Sequence, residues 1–161
     1  MMKQAFVALG SNLKNPVEQV QKALIALSHL PQTRLVKQSS LYRTAPIDCV
    51  DAAPDFINAV AEIETTLSPQ ALLNALHEIE NVAGRERPYI NAPRVLDCDL
   101  LLYDNIVLNT AKLTLPHPRM HTRGFVLLPL FEIAPHLILP KHGKIASLIT
   151  PELSLGINRF S

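Results

Sequence analysis

The sequence predicts an α+β fold, because strand-like and helix-like segments follow one another in the order strand, helix, strand, strand, helix, strand. Both helices in this order begin with a capping residue followed by proline, at Asn15-Pro16 and at Ser68-Pro69. This order is typical of a ferredoxin-like βαββαβ sandwich, whose sheet is mostly antiparallel. We therefore expect that sandwich with additional C-terminal helices, formed by residues 1–161 as one domain.

Three strands are predicted in the first part of the chain. The apolar run 4–9 predicts a buried strand that ends at the turn Gly10-Ser11-Asn12. Apolar and polar residues alternate, imperfectly, over 33–43, and alternate well over 56–64. The loop between these two strands, residues 44–54, is long enough to suggest a functional role.

The second part of the chain predicts one further strand and mainly helical structure. The second helix should end at Gly84 in a left-handed conformation, and a polar connection over 85–93 leads to the fourth strand. Four elements are predicted after that strand: a hairpin turn at Asp104-Asn105, a short returning strand at 106–108, a helix over 121–133 that contains Pro129, and a short helix near Ile145.

Composition limits the classes of partner. The net charge of +1 argues against a general nucleic-acid or membrane-surface binder, and no apolar run reaches the ~20 residues that span a bilayer. Cys49 and Cys98 form no closely spaced pair, and the N-terminus lacks the apolar region of a signal peptide. We expect a cytoplasmic monomer that binds small molecules, with neither nucleic acid nor membrane as a partner.

Two carboxylates lie two residues apart in the apolar fourth strand. Successive strand side chains point to opposite faces, so Asp97 and Asp99 share one face, with Cα atoms about 6.5 Å apart. Their repulsion and desolvation would be offset by hard divalent cations such as Mg²⁺, which prefer oxygen ligands. The alternative is an ordinary pair of carboxylates on a solvated strand face.

Cationic side chains cluster around this pair. Within about forty residues the chain carries Arg85, Arg87, Arg94, Arg119 and Arg123, together with His117 and His121. Arginine binds phosphate oxygens bidentately, which favours a polyphosphate ligand beside the metal, unless these are scattered surface arginines. The chain has neither GxxxxGK[ST] nor GxGxxG, which disfavours a P-loop or dinucleotide fold, and the lack of HExxH disfavours zinc.

Six blocks of sequence together resemble one enzyme family, and they occur in the same order nearly from end to end. They are ALGSNL at 8–13, SLYRTAP at 40–46, FINA at 56–59, the helix end 79–87 with GRER, PRVLDCDLLLY at 93–103, and LPHPRM at 115–120 with RGFVLLPL at 123–130. The family is 6-hydroxymethyl-7,8-dihydropterin pyrophosphokinase. The resemblance implies transfer of pyrophosphate from the co-substrate ATP to the pterin hydroxymethyl group with two Mg²⁺ ions, releasing AMP, in tetrahydrofolate biosynthesis.

The resemblance also implies residue roles. Asp97 and Asp99 would hold both metals and, with Arg85 and Arg87, would be catalytic. The implied ATP-binding residues are Glu80, Arg85, Arg87, Arg94, Leu100, Leu113, Thr114, His117 and Arg123. The implied pterin-binding residues are Thr44, Ala45, Ile47, Phe56, Asn58 and Phe125, of which the two phenylalanines would sandwich the bicycle.

One loop departs from the family pattern. Family members often carry a tryptophan shortly before the Pro-Arg pair, and Asn91 stands there in this chain, with Tyr89 as a possible substitute. Two other classes of function stay open at this point. A non-catalytic module that senses a nucleotide or pterin would not need two carboxylates placed for metals, and a metal-dependent nuclease predicts more catalytic carboxylates and a broader basic surface.

Overall fold

The computed structural model has a mixed α/β architecture and describes residues 1–13, 15–45, 55–84 and 95–159. The helices are α1 (Pro16–Ser28), α2 (Pro69–Ala83), α3 (Gly124–Ile133) and α4 (Ile145–Leu148). The strands are β1 (Lys3–Ser11), β2 (Thr33–Gln38), β3 (Tyr42–Thr44), β4 (Phe56–Thr65), β5 (Asp97–Tyr103), β6 (Leu108–Asn109), β7 (Thr114–Leu115), β8 (Ile138–Leu139), β9 (Gly143–Lys144) and β10 (Ile157–Arg159).

The main sheet is built around β1. Its strand order is β10-β3-β4-β1-β5, and β2 also pairs with β4. Every strand pairing within the described residues is antiparallel, which confirms the expected mostly antiparallel sheet. Because β1 lies between β4 and β5, residues of these three strands form rows across the sheet that share one face.

Helices cover both faces of this sheet. Val7 and Leu9 of β1 pack against α1 and α2 in one apolar core, whereas Phe6 packs against α3 and α4 in a second core on the opposite face. Side chains alternate along a strand, so the two cores draw on alternating residues of β1. The additional C-terminal helices were expected, and α3 and α4 occupy the face that α1 and α2 leave open. Among the described residues, no helix is long and apolar enough to cross a membrane.

The strand predicted over 33–43 is two strands. Ser39 interrupts the ladder, because its backbone N–H donates to the carbonyl of Val60 (2.9 Å) while its side-chain Oγ, and not its carbonyl, accepts from the Val60 N–H (2.9 Å). The buried Ser39 hydroxyl thus takes the place of a backbone acceptor. β2 and β3 consequently pair with different parts of β4.

α1 begins after Asn15 and α2 ends at Gly84, as predicted, but neither end has the expected local geometry. Asn15 precedes α1 in the left-handed conformation (φ 61°) without a capping hydrogen bond from its side chain, whereas the Ser68 hydroxyl accepts from the Ala71 N–H as expected. Gly84 ends α2 with φ −96°, outside the left-handed region. Its N–H donates to the Glu80 carbonyl, so an ordinary helical bond closes this end.

The returning strand predicted at 106–108 does not pair with the Asp-bearing strand. The chain does turn at Asp104, where φ is 53°, but β6 then pairs with β7. One reason is that the outer edge of β5 is occupied, since the Leu101 carbonyl accepts from the backbone N–H of His117 (2.9 Å). β10, which sequence reasoning did not predict, extends the opposite side of the sheet beyond β3.

Candidate active site

A row of residues that share one face crosses the sheet where β1 ends. Gly10 is registered with Asn58 of β4 on one side and with Asp97 of β5 on the other. The next row towards the middle of the sheet registers Ala8 with Val60 and Asp99. The two carboxylates therefore share a face, as predicted, and each lies beside a small residue of the central strand β1.

A cavity of about 340 Å³ opens above these rows. It brings together all the predicted pterin-binding residues that the structure describes, and it adds both aspartates and Arg123. Its lining residues are Ala8, Leu9, Gly10, Thr44, Ala45, Phe56, Asn58, Asp97, Asp99, Arg123, Phe125 and Val126. Ile47 lies outside the described residues.

The side-chain amide of Asn58 is held in one orientation. Its Nδ2 donates to Thr44 Oγ1 (3.0 Å), and both side chains are buried. Its Oδ1 lies 2.8 Å from the position that a Cβ on Gly10 would occupy. Gly10 is thus required for this orientation, which leaves Asn58 one N–H and one carbonyl oxygen to offer a ligand.

Two aromatic side chains line the same cavity. Phe56, the first residue of β4, is 37% exposed although its side chain is large and apolar. Phe125 is half-buried near the start of α3, and the Arg123 guanidinium lies 5.5 Å from its ring centroid in a cation–π contact. A flat ligand seated in the cavity would cover apolar surface on Phe56 that now meets water.

A second cavity, of about 250 Å³, adjoins the outer side of β5. It gathers the predicted ATP-binding residues Glu80, Leu100, Leu113, Thr114 and His117. The remaining lining residues are Leu73, His77, Cys98, Asp99, Thr110, Ala111, Lys112 and Pro118. Asp99 lines both cavities, so ligands in the two would meet at its carboxylate. Arg123, also predicted to bind ATP, lines the first cavity.

Carboxylates surround the start of β5. Glu80 Oε2 accepts from the backbone N–H of Cys98 (2.8 Å), which places a third acidic side chain beside Asp97 and Asp99. Burial, followed by the negative charges of Glu80, Asp99 and Asp97, raises the pKa of the Cys98 thiol. The thiol therefore stays protonated and is a poor metal ligand.

The donor set at this position suits Mg²⁺. Asp97 and Asp99 provide hard carboxylate oxygens, and across the described ranges no group of three or more His, Cys, Asp and Glu side chains forms a complete metal cage. Mg²⁺ is typically bound through one or two carboxylates together with substrate phosphates and water. His121, four residues after His117, stacks on His142 with ring centroids 3.9 Å apart.

The comparison with known proteins identifies the family. The family model described as 7,8-dihydro-6-hydroxymethylpterin-pyrophosphokinase (HPPK) matches residues 6–135. The chain is 50% identical over 148 residues to 2-amino-4-hydroxy-6-hydroxymethyldihydropteridine pyrophosphokinase of Haemophilus influenzae, covering 92% of each chain. It is 44% identical to the Pseudomonas aeruginosa protein of the same name, covering 99% of this chain and 98% of that one. The chain belongs to the HPPK family.

Longer proteins contain an HPPK-like region as well. The chain is 37% identical to the folic acid synthesis protein fol1 of Schizosaccharomyces pombe, covering 99% of this chain but 22% of that one. A solved structure of Plasmodium falciparum HPPK-DHPS superposes with a TM-score of 0.73 at 13% identity, over 99% of this chain and 47% of that chain. At this low identity the structural likeness shows the HPPK fold alone.

Sequence reasoning missed several residues of the two cavities. Gly10 and Ala8 form the floor of the first cavity, and their position depends on strand register, which one segment of sequence does not show. His77 lines the second cavity beside Glu80, and a signal existed for it, because residues three apart on a helix are neighbours. Arg85, Arg87 and Arg94, like Tyr89 and Asn91, lie outside the described residues.

His117 is held as a neutral hydrogen-bond donor. The backbone N–H of Arg119 donates to its Nδ1 (3.1 Å), so the neutral ring carries its proton on Nε2. Burial, with the positive charges of Arg123 and Arg119, lowers the pKa of His117, and the negative charge of Asp99 opposes this only in part. An Nε2–H donor that lines the second cavity suits a phosphate oxygen.

We predict that His117 in the folded, ligand-free protein titrates below 6.5 and is the Nε2–H tautomer at pH 7. NMR of the imidazole ¹⁵N and ¹³C resonances as a function of pH measures both. Since the unfolded chain then binds more protons than the folded one, the contribution of His117 to stability is present above pH 6.5 and is lost as the pH falls through the folded-state value. A folded-state pKa at or above that of the urea-unfolded chain would contradict the prediction.

Proposed function

We propose that this chain transfers pyrophosphate from ATP to the hydroxymethyl group of 6-hydroxymethyl-7,8-dihydropterin, giving AMP and the pterin diphosphate, a step of tetrahydrofolate biosynthesis. The observation that carries this proposal is the position of Asp99 on the walls of both cavities. A pterin in one cavity and a nucleotide in the other would bring the hydroxyl and the β-phosphorus together beside the carboxylates. Such positioning converts a reaction between two substrates into an effectively unimolecular step.

The first cavity has the chemistry that a pterin requires. Its aromatic side chains would lie against the faces of the bicycle, and the oriented amide of Asn58 would read its edge. The Thr44 hydroxyl, which accepts from that amide, fixes the amide orientation and so contributes to recognition. Ile47 would complete this set by family resemblance.

The second cavity would hold the nucleoside of ATP. Leu100 and Leu113 offer apolar surface for a base, and Glu80 and Thr114 offer polar contacts. The neutral His117 and the cation Arg123 would donate to phosphate oxygens. Arg85, Arg87 and Arg94 would do the same by family resemblance, with Arg85 and Arg87 acting in the transfer itself.

Asp97 and Asp99 would hold two Mg²⁺ ions. When bound, these ions would neutralise charge on the triphosphate and favour ionisation of the attacking hydroxyl. The contribution of the protein is to fix both carboxylates on one rigid strand and to seat the two substrates on either side of them. The pair of carboxylates, of which Asp99 lines both cavities, favours a transferase over a sensing module. A metal-dependent nuclease would need more catalytic carboxylates and a broader basic surface, whereas two cavities that meet at Asp99 favour the transfer between two small substrates.

The remaining proposals concern the fold, the unit that acts, its location and its partners. We infer that the main sheet with α1 and α2 has the ferredoxin-like arrangement, which is supported by the position of β1 between β4 and β5 and by the packing of both helices on one face. We also propose that residues 1–161 act as one cytoplasmic, monomeric unit whose partners are the two small-molecule substrates.

We predict that the purified protein, given Mg²⁺, ATP and the hydroxymethyl dihydropterin, forms AMP and the pterin diphosphate in equal amounts. Chromatography with ³¹P NMR distinguishes these products from those of a simple phosphoryl transfer. The matched control omits the pterin and should leave the ATP unchanged. Formation of ADP as the sole nucleotide product would reject the reaction type.

We predict that Asp97→Asn and Asp99→Asn each lower kcat by more than about 100-fold, because each removes an anionic metal ligand. Asp104→Asn is the matched control, since Asp104 lies on a turn, pairs with Lys3 and lines neither cavity. Chelation of Mg²⁺ should stop the wild-type reaction, and addition of the metal should restore it. Near-normal rates in either Asp97→Asn or Asp99→Asn would show that the metal assignment is wrong.

We predict that Gly10→Ala acts through the amide of Asn58, because the new Cβ would lie 2.8 Å from Asn58 Oδ1. Gly10→Ala and Asn58→Ala should each raise the pterin KM by about tenfold or more, the effect of losing a buried hydrogen-bonding group. In the Asn58→Ala background, Gly10→Ala should add little. Additive effects in this double-mutant cycle would mean that Gly10 has a separate structural role.

A further inference from the structure

The C-terminal segment 150–159, here called the C-terminal strap, contacts both sides of the first cavity. One side is formed by Thr44 and Ala45 at the end of β3, and the other by Arg123 and Phe125 at the start of α3. Among the described residues that line the cavity, none belongs to the strap. The strap also lies beyond residues 6–135, the part of the chain that matches the family model.

The strap extends the sheet at the β3 side. β10 pairs antiparallel with β3, and Ile157 is registered with Thr44, which is itself registered with Phe56 of β4. The N–H of Ala45 donates to the Gly156 carbonyl (3.0 Å). The backbone of both cavity residues on this side is therefore held by the strap.

The strap meets the α3 side at a glycine. Gly124 lies between Arg123 and Phe125, and a Cβ built on it would be 1.8 Å from the Leu153 carbonyl oxygen and 2.8 Å from Ile157 Cδ1. The backbone of the strap thus rests directly on the first residue of α3. Ile157 contacts both sides at once, through its registration with Thr44 and its packing on Gly124.

A polar contact also links β3, α3 and β10. The hydroxyl of Tyr42 in β3 donates to Glu132 Oε1 of α3 (2.8 Å). The guanidinium of Arg159 in β10 also interacts with this hydroxyl, while burial and the neighbouring carboxylate of Glu132 raise the pKa of Tyr42 to about 12. Each of the elements β3, α3 and β10 therefore contacts the other two beside the cavity.

We infer that the C-terminal strap is a positioning element for the pterin, because it fixes the separation between the Thr44–Ala45 side and the Arg123–Phe125 side of the cavity. This inference rests on the proposed function and names Gly156 and Ile157 as positioning residues. The residues that line the second cavity come from α2, β5 and segment 110–118. Among the described residues proposed to bind ATP, Arg123 alone lies on the side that the strap holds, so loosening the strap should weaken pterin binding much more than ATP binding.

Two glycines provide a matched pair for the test. Gly156 in the strap and Gly143 in β9 both have positive φ, 74° and 84°, and a Cβ on either would have no contact closer than 3.9 Å. Alanine at either site carries the same kind of backbone strain, so Gly156→Ala and Gly143→Ala should lower Tm to similar extents. Only Gly156→Ala should raise the pterin KM, by about fivefold or more, with the ATP KM within about twofold of wild type.

A second pair avoids backbone strain. Ile157→Ala keeps the backbone pairing with Thr44 but removes the side chain that packs on Gly124, and it should raise the pterin KM. Leu155→Ala, which alters a strap side chain that is 71% exposed, should not. Calorimetric titration with the pterin and a non-hydrolysable ATP analogue gives the same comparison without turnover. A pterin affinity unchanged in both Gly156→Ala and Ile157→Ala, or equal losses for pterin and ATP, would overturn the inference.

Turnover by the wild-type protein distinguishes a failure of the proposed function from a failure of the inference about the strap. Absence of AMP formation by the wild type would reject the proposed function, while the calorimetric comparison of variants would still report on the strap. Normal wild-type turnover with unchanged pterin affinity in the strap variants would reject the inference alone.

Discussion

The pairing of β1 with a strand on each side is the constraint on which the rest of the structure depends. β4 supplies Asn58 and β5 supplies Asp97, and both are registered with the same residue, Gly10. A shift of either strand by one residue would turn its polar side chains to the opposite face, into the core formed with α1 and α2. The backbone ladder of the central strand thus sets the distance between the group that would read the pterin and the carboxylates that would hold metal.

The clustering of negative charge at the start of β5 also depends on a backbone contact. Glu80 reaches this point from α2 by accepting the Cys98 N–H, and Cys98 lies between the two aspartates. Three carboxylates around one strand end repel one another, and a divalent cation bound there would relieve this repulsion. Burial lowers the pKa of His117, and the positive charges of Arg123 and Arg119 add to this, so the nearby negative charge of Asp99 does not make the ring a cation.

Features with local causes could be predicted from the sequence. The alternation in β5 placed both aspartates on one face, and the Ser68-Pro69 signature located the start of α2. The division into β2 and β3 depends on a hydroxyl of Ser39 that bonds to Val60, and β10 pairs with β3, more than 100 residues earlier in the chain. Such contacts leave no periodic signal. The pterin side of the site was named through family resemblance, and the floor formed by Ala8 and Gly10 became visible only with the register of three strands.

The side chains of β1 that face α3 decrease in size towards the end of the strand, from Phe6 to Ala8 to Gly10. Phe6 is buried in the core with α3, whereas Ala8 and Gly10 leave the space that forms the first cavity. Larger apolar side chains at these two positions would bury more surface, at roughly 25 cal/mol per Å², but would fill the place of the ligand. The cavity is therefore a local loss of packing that the fold tolerates because both cores are complete elsewhere. The cavity exists because Ala8 and Gly10 have little or no side chain, and both lie on β1, which is paired on both sides. The floor of the cavity is therefore rigid, as the positioning of two substrates requires.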